Sequence, residues 1–239
     1  MCIFLALWFF VSFFHLIDPF FFPNPIIFAK ELIVEFGRGS IFTDMYATVI
    51  RIAIAFAIAS AAGVPLGLLL GLYKNMYRSV EFFVDMMRST APMALFPLFL
   101  IVFGIGDTSK IMTAALTSVF VIIFHVAHGV LHMKNSRKLA SEMMGADRLT
   151  VFKNVIVWEA LPSIFVGLRV GLSWVMVIII ATEMFVGTSV GLGHRIIDAQ
   201  ITYNIPAVYV AIFVTAFIGY LVNLFSTRIE KKMLHWVKK

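Results

Sequence analysis

Residues able to do chemistry are sparse in this sequence and stand out against long uncharged stretches. Glu183 ends an apolar run that starts after Arg169. A carboxylate in that position can line a polar pathway, pair with a cation to hold a gate, or sit in interfacial water. Arg51 stands one residue before the uncharged run from Ile52 to Leu72. Its guanidinium can attract an anion, pair with Glu183, or snorkel to the lipid interface, the last being the commoner fate of such an arginine. His125, His128 and His132 recur at i, i+3 and i+7 and share one helix face. That geometry could ligate a metal ion or haem, or relay protons. No carboxylate or cysteine shares their apolar segment, which favours helix packing and hydrogen bonding over a metal site.

Nucleotide hydrolysis does not fit the chain itself. A P-loop needs glycine-rich amides around phosphate followed by a Lys-Ser/Thr pair, spaced G-x-x-x-x-G-K-[ST], and no such spacing occurs. The stretch from Gly104 to Lys110 has glycines, Thr108, Ser109 and a lysine in the wrong order, and it reads as a tight turn. No catalytic residue, cofactor or metal ligand is expected in this chain.

The elements that must position these groups are set by composition. Of 239 residues, 61% are hydrophobic and 13% charged, with a mean hydropathy of +0.97, which describes a polytopic helical membrane protein rather than a water-soluble domain. The net charge of +6 falls in short clusters between apolar runs, a pattern of loops facing anionic lipid rather than nucleic acid. Cys2 is the one cysteine, so no internal disulfide forms. A bilayer core takes about 20 apolar residues per helix, and six runs qualify: Met1 to Ile17, Ile52 to Leu72, Ala91 to Gly106, Ile111 to Met133, Ala160 to Thr182 and Pro206 to Phe225. The first lacks a basic leader and a cleavage site and is expected to stay as an anchor. The third is short and carries Pro92 and Pro97, so it is expected to be bent or partly broken. Between the first two, three prolines precede a short surface helix over Ile26 to Phe36.

Alternating the loops between two sides places thirteen Lys and Arg on one side and four on the other, namely Lys30, Arg38, Lys110 and Arg195. The positive-inside rule then puts the basic loops and both termini in the cytoplasm. The longest basic loop, residues 134–162, is patterned. Arg137 to Met144 can form a short helix closed by Gly145, and Asp147 can cap a second one whose Leu149, Phe152, Val155 and Ile156 recur at helical spacing. Leu161-Pro162 is expected to stop that helix and start the fifth span. Spacing alone leaves open whether the amphipathic helix lies on lipid or docks in a partner's groove.

The run Gly145-Ala146-Asp147-Arg148, with Phe152, Val155, Leu161-Pro162, Ile164 and Gly167-Leu168-Arg169, resembles the EAA loop of permeases in binding-protein-dependent ABC importers. Leu66-Gly67, Arg88 to Pro92, Pro97, Phe103 to Gly106, Glu183-Met184 and Gly191 to Gly193 follow in the order seen in the nitrate, sulfonate, taurine and bicarbonate branch. The sequence departs from the family at Leu139, where the signature Glu is usual, and at Trp158, where the first of two prolines is usual; the acidic contact is then absent or supplied by Glu142.

The resemblance implies an all-α bundle of about six spans with the type I importer permease (MetI-like) fold, residues 1–239 forming one transmembrane domain. It implies a non-enzymatic permease of the inner membrane that encloses a translocation pathway, with Arg51 and Glu183 as candidate pathway residues. Ala140, Ser141, Glu142, Gly145, Ala146, Asp147, Leu149 and Phe152 would form the coupling segment. The implied partners are a cytoplasmic ATPase dimer that binds ATP and Mg²⁺, an extracytoplasmic solute-binding protein, and a second permease copy, most simply as a homodimer. Nitrate, sulfonates, taurine, bicarbonate or a vitamin precursor are the cargo classes it suggests. Two rivals remain at this point, a membrane oxidoreductase subunit using the histidine face and a secondary transporter.

Overall fold

A computed structural model describes residue 8 and residues 20–133, 135–185 and 190–234. The expected first span, Met1 to Ile17, lies outside the described residues except for Trp8, whose indole donates to the Pro23 carbonyl at 3.2 Å. Every regular element among the described residues is helical. In chain order they are α1 (Pro25–Arg38), α2 (Ser40–Leu72), α3 (Lys74–Ser89), α4 (Pro92–Phe103), α5 (Asp107–Leu131), α6 (Asn135–Met143), α7 (Arg148–Val151), α8 (Val157–Phe185), α9 (Leu192–Ile201) and α10 (Ile205–Met233). Lipid leaves backbone amides no solvent partner, so each apolar run closes its hydrogen bonds within a helix. The remaining five expected spans overlap α2, α4, α5, α8 and α10 in that order.

Four helical stretches are long and apolar enough to cross a membrane, and α3 with α4, bent by 92°, counts as a fifth when the pair is taken as one broken span. The bend falls at the start of the expected third span, between Ser89 and Pro92, whereas Pro97 stays inside α4, and its cause is local. Ala91 precedes Pro92 and is extended, with ψ at 119°, because the proline ring excludes the helical conformation from the residue before it. Pro92 then starts α4, where its missing N–H has no partner to lose.

The central pairing is α2 against α5. A Cβ added to Gly63, Gly67 or Gly71 would come within 2.8, 2.7 and 2.6 Å of the Cβ atoms of Ile122, Val126 and Val130 respectively. Residue numbers rise together along this contact, so α2 and α5 run parallel, as they must with one bent crossing between them. The glycine face of α2 thus receives the β-branched ridge of α5. A methyl group on Gly67 also meets the Ile123 carbonyl at 3.1 Å, and backbone gives less readily than a side chain. Gly67→Ala should destabilise the bundle by about 1–3 kcal/mol through overpacking, read as a lowered melting temperature in detergent. An unchanged melting temperature would show that the helices can separate at no cost.

α8 runs antiparallel to α5. Gly171 abuts Ile122, Gly167 abuts His125, and Ser163 sits against Gly129, where an added Cβ would lie 2.3 Å from the serine Cβ. Ala55, Ala114, Val175 and Ile179 fill the core where the three helices meet. α10 returns antiparallel to α8, and α1 packs on its first half through Phe28 and Phe213, ring centroids 5.6 Å apart. α1 matches the expected short surface helix: the Asn24 side chain caps its start and Gly39, at φ +75°, ends it.

The expected stop at Leu161-Pro162 is not found. One helical path runs from Arg148 to Phe185, with a π-helical turn over Phe152–Ile156 and Pro162 inside α8. Tertiary packing overrides the local rule here. Ala160 and Ile164, on either side of the proline, are both buried in one core cluster with Ile122 and Val126, so the helix forgoes one backbone bond and keeps its contacts.

Candidate functional site

Two regions stand out, one at each end of the bundle. At the end where α2 and α5 begin and α8 finishes, Arg51 and Glu183 meet. Glu183 is wholly buried and Arg51 is 5% exposed. Arg51 Nη1 donates to Glu183 Oε1 at 2.6 Å and to the Val190 carbonyl at 2.9 Å, while its Nη2 pairs with Asp107 Oδ1 at 2.9 Å. The pairing with Glu183, one of the fates open to Arg51 in the sequence, is realised. Snorkelling to the interface, the commoner fate, is not.

Glu183 is satisfied on both oxygens. Thr48 Oγ1 donates at 2.9 Å to Oε2 and lies 3.0 Å from Oε1, and the Gly193 amide donates to Oε2 at 3.0 Å. The residues Val190 to Gly193 thereby wrap the carboxylate. Leu192 N–H donates to Thr48 Oγ1 at 3.0 Å, and Gly191 N–H to Asp44 Oδ1 at 2.9 Å. Gly191 adopts φ +146°, and a Cβ there would lie 2.7 Å from Glu183 Cδ. At Gly193 a Cβ would strike the Ile180 carbonyl at 2.3 Å. Both glycines are needed because the backbone itself touches the carboxylate.

The network extends beyond what the sequence suggested. Asp44 accepts from Arg195 Nε at 2.6 Å, and Arg195 also pairs with Glu35 and donates to Ser40 Oγ at 2.8 Å. Thr48, Asp44, Asp107, Glu35 and Arg195 were not singled out by spacing. The available signal was an i, i+4, i+7 series: Asp44, Thr48 and Arg51 are polar on one face of an otherwise apolar helix. Lys110, assigned to an outer loop by charge counting, is fully buried at the start of α5.

At the other end lies the patterned loop. α6 ends in a Schellman motif: Gly145 N–H donates to the Glu142 carbonyl at 3.0 Å and Ala146 N–H to the Ser141 carbonyl at 3.1 Å, with Gly145 at φ +83°. This is the left-handed stop expected from the sequence. Asp147 then caps α7 as expected, accepting from Thr150 N–H at 3.3 Å. Hydrogen bonds from the Thr150 side chain, and then from backbone amides, hold the Asp147 carboxyl below its ordinary value, so the cap is charged through the neutral range. Ala140 and Glu142 are exposed on α6, and Ser141 and Ala146 are half-buried.

The apolar stripe divides. Ile156 is buried, with Phe152 and Val155 packed around it, and Val151 joins them in the core. Leu149 faces outward at 60% exposure, together with Leu139, Met143 at 82% and Met144 at 88%. The two methionines carry no periodic signal, because they close a helix that is short and mostly polar.

Arg169 pairs with Glu230 at 2.8 Å and ties α8 to α10. The three histidines do share one face of α5. His128 and His132 stack with centroids 5.0 Å apart, and Phe124 packs on His128 at 4.4 Å. Among the described residues no group of three His, Cys, Asp or Glu is arranged to hold a metal ion.

Residues 63–235 match the model of a family described as binding-protein-dependent transport system inner membrane component. The taurine transport system permease protein TauC of Escherichia coli (strain K12) is 29% identical over 99% of this chain and 87% of its own length. The nitrate import permease protein NrtB of Leptolyngbya laminosa is 30% identical over 81% of this chain and 71% of its own. Among solved structures, a chain of the inward-facing MetNI methionine ABC transporter superposes with a TM-score of 0.70 at 21% identity, covering 81% of this chain and 95% of that one, a likeness of fold. The bundle, the loop and the matched residues together remove the oxidoreductase and secondary-transporter alternatives. The chain belongs to the binding-protein-dependent transport system inner membrane components: it is a multi-pass permease subunit of an ATP-driven importer, whose ATP hydrolysis resides in a partner subunit.

Proposed function

We propose that two copies of this permease enclose a pathway for a small anion or organic solute of the nitrate, sulfonate, taurine or bicarbonate class, and that residues 140–152 seat each copy on an ATPase dimer that binds ATP and Mg²⁺. The observation that carries this reading is the exposed apolar surface of the loop. Met143, Met144 and Leu149 stand out from a segment whose backbone is fixed at both helix ends by Gly145 and Asp147. A rigid, apolar protrusion flanked by Glu142 and Arg148 suits insertion into a groove better than solvation. Thirteen of the basic residues fall on the side of this loop in the sequence count, so the loop and both termini are cytoplasmic. A solute-binding protein delivers cargo at the opposite end.

There Arg51 and Glu183 act as the pair that holds the outer end of the pathway closed. The support is positional, since their contact joins α2, α5 and α8 to the loop before α9. Closure of the ATPases would draw the coupling segments together and bias the bundle between inward- and outward-open states.

The reading is tested by charging the loop surface. Met144→Glu combined with Leu149→Glu should leave the permease inserted and lower capture of its ATPase at least about tenfold, since two desolvated apolar contacts each contribute more than about 1 kcal/mol at such an interface. Undiminished capture on affinity resin would reject the placement. Uptake of labelled taurine, nitrate or bicarbonate by proteoliposomes holding permease, ATPase and binding protein identifies the cargo.

A further inference from the structure

The histidine face is left unused by this account, and it does not pack as a closed interface. It opens on a cleft of about 550 Å³ bounded by α5, α6 and α8. His125, His128 and His132 line one wall, and Arg137, Glu159 and Ser163 the others. The floor is the tight crossing of Gly129 against Ser163, so the cleft is held open by helices that cannot approach further. We propose that this cleft binds an oxyanion, of the sulfate, sulfonate, phosphate or carboxylate type, at the coupling-loop end of the bundle.

The argument rests on the balance of donors and acceptors. The ring nitrogens of His125 and His128 have no hydrogen-bond partner among the described residues, although both side chains are more than half buried against Phe124 and Tyr77. Each neutral imidazole offers one N–H and an imidazolium two. Arg137 offers a planar fork of which one arm is used, Nη1 donating to Glu159 Oε2 at 2.9 Å. That contact neutralises one oxygen of Glu159, the carboxylate in the cleft wall. His132 directs Nδ1 to the His128 carbonyl at 2.9 Å; as the donor there, it has a second N–H for a ligand only as an imidazolium. An anion in the cleft therefore draws on Arg137 and on the ring N–H groups of His125 and His128. The volume lies within the range of small-molecule sites and exceeds a single tetrahedral anion, which suits an anion carrying a short organic group.

Two sources share this chemistry, a free anion from water and a lipid headgroup phosphate. Full-length permease labelled with ¹⁵N-histidine in phosphatidylcholine nanodiscs separates them. Sulfate titrated against chloride at constant ionic strength should shift the His125 and His128 ring resonances saturably. Arg137→Gln and His128→Leu should each weaken that response about tenfold, the loss expected for one charge-assisted hydrogen bond. Shifts that appear without sulfate on moving to phosphatidylglycerol discs also support the site and name the lipid as its occupant. Absence of both responses, or a sulfate response identical in wild type and both variants, overturns the proposal.

Discussion

Glu183→Leu should lower the unfolding free energy of the permease by about 3–5 kcal/mol, because it leaves the Arg51 guanidinium buried without its main partner. The effect is large for three reasons that can be read from the contacts. Arg51 is 5% exposed, so water cannot replace the lost carboxylate. Its other carboxylate, Asp107, is half exposed and is screened accordingly. Glu183 also accepts from Thr48 and the Gly193 amide, so its loss orphans two further donors. Glu183→Gln keeps the shape and should cost less, since the amide oxygen can still accept from Arg51. Removing both charges in Arg51→Leu/Glu183→Leu should cost markedly less than the sum of the single changes. Melting temperatures in detergent give the cycle, and proteolysis near Val190 reports whether the wrap around Glu183 has opened. Strictly additive losses would show that the two side chains do not depend on each other.

The same pair shows what the sequence can and cannot convey. Spans are legible because lipid forces every apolar run into a helix, and the bend before Pro92 is legible because it depends on adjacent residues. The Arg51 to Glu183 contact joins positions 132 residues apart. Spacing within one helix says nothing about the register between α2 and α8, so pairing was only one of three outcomes for each residue. Thr48 and Asp44 are not legible, because a lone polar residue near a span end looks like an interfacial one until its neighbours are known. Lys110 illustrates the same limit from the other side: charge counting assigns it to a loop, whereas the turn of α5 carries it into the core. Pro162 went the other way. A local rule ends a helix there, and the buried neighbours Ala160 and Ile164 outweigh it. In the loop, Gly145 and Asp147 were legible because caps are local, but the exposure of Met143 and Met144 depends on which face of α6 the bundle covers.

Gly145→Pro should abolish stimulation of the partner ATPase while leaving the permease inserted and folded. The residue has open space around it, with nothing within 4 Å of a Cβ, so steric collision with other elements plays no part. Conformation decides the outcome. Proline fixes φ near −65°, whereas the loop needs +83° here, and it also removes the N–H that donates to the Glu142 carbonyl. The chain after α6 would then leave in a different direction, carrying Asp147 and Leu149 away from Met143 and Met144. Gly145→Ala separates strain from geometry: alanine can still reach positive φ at about 1–2 kcal/mol, so it should retain most coupling and lower only the stability of the loop. The transmembrane core does not include Gly145, and the melting temperature of the bundle should be little changed in either variant. ATP hydrolysis by the reconstituted complex, with and without binding protein, gives the ranking wild type, Ala, Pro. If the proline variant couples normally, the fixed angle between α6 and α7 is not what the ATPase engages, and the docking surface lies elsewhere on the loop end.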